Sequence, residues 1–162
     1  MLALLPEYAS LEDPVADLRA ACLDAVRWLG GGFGVHGSWQ GLRIARTLAE
    51  EAGVPFALPP EDQAPTMLVV ANGTATRTEK APGHLDERAA GFDDDLRAAL
   101  TTDPRLLADL DVRLAGELWA DVDSLVWLGQ EIDVDPASVQ VDYDDDPNGV
   151  QYWVMRMEGR WR

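Results

Sequence analysis

The chain has 162 residues, 47% of them hydrophobic, with 29 acidic against 13 basic side chains and a formal net charge of −16. That length and apolar content suit one domain, spanning 1–162, with its own core, and argue against disorder throughout. The acidic balance argues against nucleic acid as a partner, since a duplex backbone needs clustered cations and the 12 arginines and one lysine here are dispersed.

No apolar run reaches the roughly 20 residues of a membrane span, and the start lacks the basic region, apolar core and cleavage pattern of a signal peptide. A cytoplasmic protein with no membrane partner is therefore expected. The lone Cys22 cannot form an internal disulfide; it falls on the apolar stripe of a helix, which suits a structural thiol better than a nucleophile.

In chain order, Leu11, Val15, Leu18, Cys22, either Ala25 or Val26, and Leu29 recur at helical spacing, with Asp13 and Pro14 suited to the first turn and Gly30 to Gly32 ending the helix. Leu42, Ala45, Leu48, Ala49 and Ala52 mark a second helix, which Ser38 can cap and Gly53 can stop. A short strand is expected over 54–58, weakened by Pro55, Pro59 and Pro60. The clearest strand is 66–71, apolar almost throughout and so expected to be buried on both faces.

Phe92, Leu96 and Leu100 predict a helix ending near Asp103 and Pro104, with Asp93 to Asp95 at its start, where acidic side chains favour the helix dipole. Leu106, Leu107, Leu110 and Leu114 predict a fresh helix, and Val122, Leu125, Val126 and Leu128 predict either another or a continuation of it past Gly116. Val139, Val141 and Tyr143 alternate, Asp144 to Gly149 supply turn residues, and Val150, Tyr152 and Val154 alternate again, which predicts a C-terminal antiparallel hairpin. Trp153, Met155 and Met157 make its other face apolar as well, a candidate surface for self-association.

The glycines of Gly32-Phe-Gly34-Val-His-Gly37 fit G-x-G-x-x-G, but a helix rather than a strand precedes them. The nucleotide fingerprint therefore lacks its context, and a flexible joint is the default reading. Amides at the start of the second helix leave phosphate or carboxylate binding open.

The most informative stretch runs from Met67 to Asp95, where an apolar strand passes into a polar loop and then a helix. Polar groups at a strand's carboxyl end are where open α/β sheets hold ligands, so Asn72, Thr74, Thr76, Arg77, Glu79, Lys80, His84 and Asp86 are the ligand-binding candidates, with His84 also the candidate catalytic residue. Arg77 and Lys80 would attract an anionic group, or else only neutralise Glu79, Asp86 or Glu87.

The Thr-Glu-Lys-Ala-Pro-Gly run at 78–83, Leu85-Asp-x-Arg-Ala89, and Phe92-Asp93 resemble the short actinobacterial branch of LigB-like proteins, relatives of the large subunit of class III extradiol ring-cleavage dioxygenases. The hairpin from Tyr143 to Tyr152 and the helix from Leu18 to Trp28 are similar to the same branch. The resemblance implies a three-layer α/β/α domain with a mixed central sheet and a C-terminal β-hairpin, shortened at its amino terminus. It also implies an ancestral Fe(II) site of two histidines and a glutamate.

The departures bear on activity. The start, Met1-Leu-Ala-Leu-Leu-Pro6-Glu-Tyr, resembles only the part after the family's first metal histidine. Where active members have serine-histidine, this chain has Thr74-Ala75, and alanine cannot carry a proton. Asp121 or Asp123 could stand for the glutamate ligand. These residues imply a degenerate domain without cofactor or ring cleavage, binding a small molecule or a protein subunit. The alternatives are an active non-haem Fe(II) oxidoreductase, built from His36, His84 and an acidic residue or completed by another chain, and an acidic interaction protein of immunity type. The arginine and alanine bias suits a GC-rich bacterial genome.

Overall fold

The computed structural model describes residues 2–5, 13, 15–57, 59 and 64–162, with the side chain of Leu2 left out. Leu11, Pro14, Leu58 and Pro60, and the chain start at Met1 and from Pro6 to Tyr8, lie outside the described residues. Helices and strands are mixed along the chain, which forms two compact units, Met1–Val70 and Ala71–Arg162. The described strands pair as three separate two-stranded sheets.

In the first unit, helix α1 (Ala16–Leu29) ends at Gly30, whose φ of 74° is a conformation glycine adopts without strain. Strand β1 (Gly34–Gly37) follows, then helix α2 (Trp39–Ala52), then strand β2 (Met67–Val70). β1 and β2 pair in parallel, Gly34 opposite Met67 and Gly37 opposite Val70, so the segment is a strand–helix–strand unit. Ser38 caps α2, its Oγ accepting the Gly41 N–H at 3.3 Å, and Gly53 closes the helix in the left-handed conformation.

Three expectations change here. The glycine-rich segment is not a joint but supplies β1 itself, because Gly34 and Gly37 let the strand lie close to Met67, Ala64 and Val70. Residues 54–57 form no strand, since Pro55 inside the segment has no N–H to give a ladder and no described strand pairs with it. β2 is half-buried at all four positions rather than enclosed on both faces, as befits one member of a two-stranded sheet.

The core of this unit lies between the helices: Leu18 and Val26 of α1 are buried, as are Ile44, Ala45, Leu48 and Ala49 of α2. Phe33, 1% exposed, meets Phe56 edge to face with centroids 6.1 Å apart. Arg19 ties the start of the chain to α1, donating to the Leu4 carbonyl at 2.7 Å and to Asp13 at 2.8 Å. Cys22 is half-buried, and desolvation pushes its thiol up to about 12, so it is protonated and unreactive at neutral pH.

The second unit contains helix α3 (Arg88–Thr102), a 3₁₀ turn over Pro104–Asp109, helix α4 (Val112–Glu117), helix α5 (Asp123–Glu131) and strand β3 (Ile132–Val134). Strands β4 (Gln140–Asp145), β5 (Tyr152–Arg156) and β6 (Gly159–Trp161) follow. β4 and β5 pair antiparallel around the turn at Pro147–Gly149, with an irregularity between Val141 and Tyr143, while β3 pairs with β6.

α4 and α5 are not continuous: Trp119 takes a φ of 59°, and an N–H from Ala120 closes back on the Ala115 carbonyl. The apolar pattern persists through this break because Leu118 before it and Val122 and Leu125 after it are all buried. Among the described residues, no helix is long and apolar enough to cross a membrane.

α5 packs on the 3₁₀ turn through Gly129, where a Cβ would run into the Ala108 amide nitrogen and lie 2.9 Å from Leu107. Both neighbours include backbone, so the site cannot relax cheaply. Gly91 in α3 meets nothing within 4 Å. Gly129→Ala should lower the unfolding free energy by about 2 kcal/mol, whereas Gly91→Ala should raise it by roughly 0.5–1 kcal/mol through helix propensity. Urea unfolding of the two variants against the native chain measures both, and equal effects would refute the close packing.

Candidate functional site

The polar loop after β2 is built into the second unit by backbone hydrogen bonds on two sides. The Asn72 N–H donates to Asp121 and the Ala75 N–H to Leu118, while the Gly73 N–H donates to Gln151 and the Arg77 N–H to Gly149. Returning bonds from Gly83 to the Ala75 carbonyl and from Asp86 to the Thr76 carbonyl fold the loop onto itself. Thr74, Ala75 and Thr76 are consequently buried, at 0%, 8% and 2% exposure.

Asp93 of α3 faces this loop and is 1% exposed. Its carboxylate accepts the Thr74 N–H at 2.9 Å, the Thr74 hydroxyl at 2.6 Å and Arg77 Nη1 at 3.0 Å. Arg77 Nε also donates to Asp146 at 2.6 Å. An unpartnered carboxylate here would lose its hydration without return; three donors, one cationic, offset that cost. Burial works against the Arg77 charge, but the two carboxylates outweigh it and hold its pKa above the ordinary arginine value.

A cleft of 340 Å³ opens beside this cluster, lined by Arg77, Asp93, Asp94, Arg97, Asp144, Gln151 and Trp153. Arg97 Nε donates to Asp144 at 2.5 Å, and Gln151 Nε2 donates to the other Asp144 oxygen at 3.0 Å. The indole Nε1 of Trp153 is buried and has no hydrogen-bond acceptor among the described residues. Next to it on β5, Tyr152 is buried, and desolvation followed by the nearby Tyr143 pushes its phenol up to about 12.

The sequence candidates divide into two groups. Thr74 and Arg77 meet at Asp93, whereas Glu79, Lys80 and His84 are exposed. Asn72 donates from its side chain to the carbonyl of the next residue at 2.7 Å, and the Thr76 hydroxyl points to the Leu118 carbonyl at 3.5 Å. His84 sits in a turn with φ 60°, its Nδ1 3.3 Å from the Glu79 carbonyl, and it does not line the cleft. Arg77 is neutralised locally, but by Asp93 and Asp146 rather than by Glu79, Asp86 or Glu87.

Asp86 instead grips Arg88 with both oxygens, at 3.0 and 2.7 Å, and accepts the Arg88 N–H at 2.9 Å. This side-chain fork, followed by the backbone bond, holds the carboxyl down at about 2. Asp86 therefore anchors the start of α3, and Asp93 to Asp95 are not that start: they lie in its second turn.

Asp93, Arg97, Asp144, Gln151 and Trp153 are cleft residues that the sequence reading missed. Asp93 carried a detectable signal, since it shares a helical stripe with Ala89, Leu96 and Leu100, all buried. An acid on the buried stripe of a helix implies a buried partner. Phe92, assigned to that stripe, is only half-buried.

Among the described residues, no group of three or more histidine, cysteine, aspartate and glutamate side chains is placed to hold a metal ion. His36 belongs to the first unit, on β1, and His84, Asp121 and Asp123 to the second. Among the described residues, no two-histidine, one-carboxylate donor set of the kind an iron centre uses is grouped. Comparison with protein-family models, with curated proteins and with solved structures finds no match in any of the three.

Asp93→Ala should cost about 3 kcal/mol, because it strands the Arg77 charge and two Thr74 donors. Thr74→Val should cost about 1 kcal/mol, and the double variant less than the sum of the two; chemical denaturation of all three tests the coupling, and additive losses would refute it.

A second test concerns Asp86. Its folded pKa lies below the ordinary 3.8, so the ion pair's contribution is complete above about pH 4 and disappears as the pH falls towards 2. An Arg88→Met variant should therefore lose less stability than the native chain between pH 5 and pH 2, and parallel acid-unfolding curves would remove the pair from the account.

Proposed function

We propose that this chain is a LigB-like domain that has given up ring cleavage and works as a binding module for a small molecule or a protein subunit. The observation that carries the reading is the state of the strand end after β2. Where the active family is expected to place its proton-transferring histidine, Ala75 is buried, with its N–H and carbonyl both committed to neighbouring backbone. Thr74 before it is locked to Asp93. Polar chemistry in the loop has been turned inward, from substrate to structure.

The architecture that goes with this reading is the family's three-layer α/β/α domain with a mixed central sheet and closing hairpin, working in the cytoplasm. The parallel pair of β1 and β2 with α1 and α2, and the antiparallel pair of β4 and β5, are the elements that support it. A binding role suits a chain whose cleft is lined by charged side chains already partnered by one another, since reactive groups need a proton or an open coordination position to offer.

Metal content of protein purified without air, Fe(II) titration, and oxygen uptake with catechol test the reading together. The expected result is no stoichiometric iron and no oxygen consumption. Stoichiometric iron that is lost in a His36→Ala, His84→Ala variant, together with catechol-dependent oxygen uptake, would sink the binding-module reading in favour of an active dioxygenase.

A further inference from the structure

We infer that strand β6 pairs with β6 of a second copy of this chain, antiparallel about a two-fold axis at Arg160, so that the β3 and β6 sheets of two copies become one. This goes beyond the binding-module reading and does not depend on it.

The first observation is an open edge. The Asp135 N–H donates to the Glu158 carbonyl at 2.9 Å and the Arg162 N–H to the Glu131 carbonyl at 3.0 Å, while Asp133 lies opposite Arg160. In an antiparallel ladder every second residue is bonded to the neighbouring strand. Glu158, Arg160 and Arg162 therefore bond towards β3, and the N–H and C=O groups of Gly159 and Trp161 are turned away from it. No other described strand pairs with β6, and residues 158–162 are all exposed. Such an edge is a template for another strand.

The second observation is self-complementarity, which selects the occupant. A two-fold at Arg160 sets Glu158 opposite Arg162 of the second copy and Gly159 opposite its Trp161, and each pairing then occurs twice. Glu158 and Arg162 carry opposite charges, and neither side chain has an ion-pair partner among the described residues. The two Arg160 side chains repel one another, which Asp133 offsets by accepting from Arg160 Nη2 at 3.0 Å.

Gly159 and Trp161 lie on the other face of the strand. Trp161, opposite Ile132 in the ladder, meets Trp127 edge to face with centroids 5.8 Å apart, yet stays 39% exposed. A Cβ on Gly159 would lie 2.8 Å from Ile132 Cγ2, so that position stays bare. Trp161 of the second copy crosses there, where an aromatic ring covers backbone that has no side chain of its own.

Charge also separates this edge from β4. A net charge of −16 keeps copies apart, so contact belongs where acids are fewest. From Arg156 to Arg162 there are three arginines and one glutamate, whereas β4 holds three aspartates.

The test is sedimentation equilibrium of the full chain over a concentration series, for the native protein, Glu158→Arg, Arg162→Glu and the variant carrying both changes. Neither side chain makes an ion pair in its own chain, so the fold should survive, which circular dichroism checks. The double variant exchanges the two charges, keeps the net charge and re-forms both cross-copy pairs with their signs reversed.

The expected result is a weak dimer, with a dissociation constant on the order of 100 μM. Each single change should weaken it roughly tenfold, and the double change should restore it. A chain that stays monomeric up to about 1 mM would overturn the pairing and leave the edge to a foreign strand. A dimer that the single changes leave intact, or that the double change does not recover, would put the contact elsewhere and overturn it as well. None of these outcomes bears on iron or oxygen uptake.

Discussion

The Asp93 carboxylate is the group around which the second unit is organised. It is enclosed, and its position in the middle of α3 leaves it no route to solvent. Burial of such a group is tolerable only with donors fixed in place, so the Thr74 amide, the Thr74 hydroxyl and Arg77 must all be delivered to it. This requirement explains Gly73: a Cβ there would come within 2.8 Å of both Asp93 Oδ1 and Gln151 Cβ. It also explains why Gln151 is buried, since its backbone brackets Gly73 and Thr74 while its side chain holds Asp144.

From that cluster the charge pattern spreads outward in arginine forks. Arg77 bridges Asp93 to Asp146, Arg97 reaches Asp144 across to β4, and Arg156 holds Asp142 with two bonds of 2.6 and 2.8 Å. A planar guanidinium can serve two carboxylates, or both oxygens of one, in a way a lysine ammonium cannot, which gives a physical use for 12 arginines against one lysine. With 29 acids to serve, the arginines run out, and the surplus negative charge is left on the surface. On β4, Asp142 and Asp144 each keep an arginine, as does Asp146 just beyond it, and the strand remains largely exposed, a charged edge that resists pairing with a second copy of itself.

Helix positions were legible in the sequence because burial repeats with helical period: Leu18 and Val26, Ala45 and Leu48, Leu96 and Leu100 all lie where their spacing puts them. Caps were legible too, at Ser38 and Gly53, since the chemistry of a helix end is local. The strands β3 and β6 escaped notice because each is three residues long, too short for alternation to emerge. Gly34 to Gly37 read as loop because glycine has no strand propensity, and its use here depends on the closeness of Met67 and Val70, which a linear reading does not contain. In the site, Thr74 and Arg77 were visible by their place after a strand, but Asp93, Asp144 and Gln151 enter from 16 or more residues away, through packing alone.

The loop's inward turn changes what its residues can do. A hydroxyl that donates to a buried carboxylate is not available to polarise a substrate, and an arginine shared by two aspartates offers little charge to an anion. The residues that stay outward, Glu79, Lys80 and His84, lie beyond the protein's enclosed polar cluster and are solvated, where hydrogen bonds compete with water and confer little selectivity.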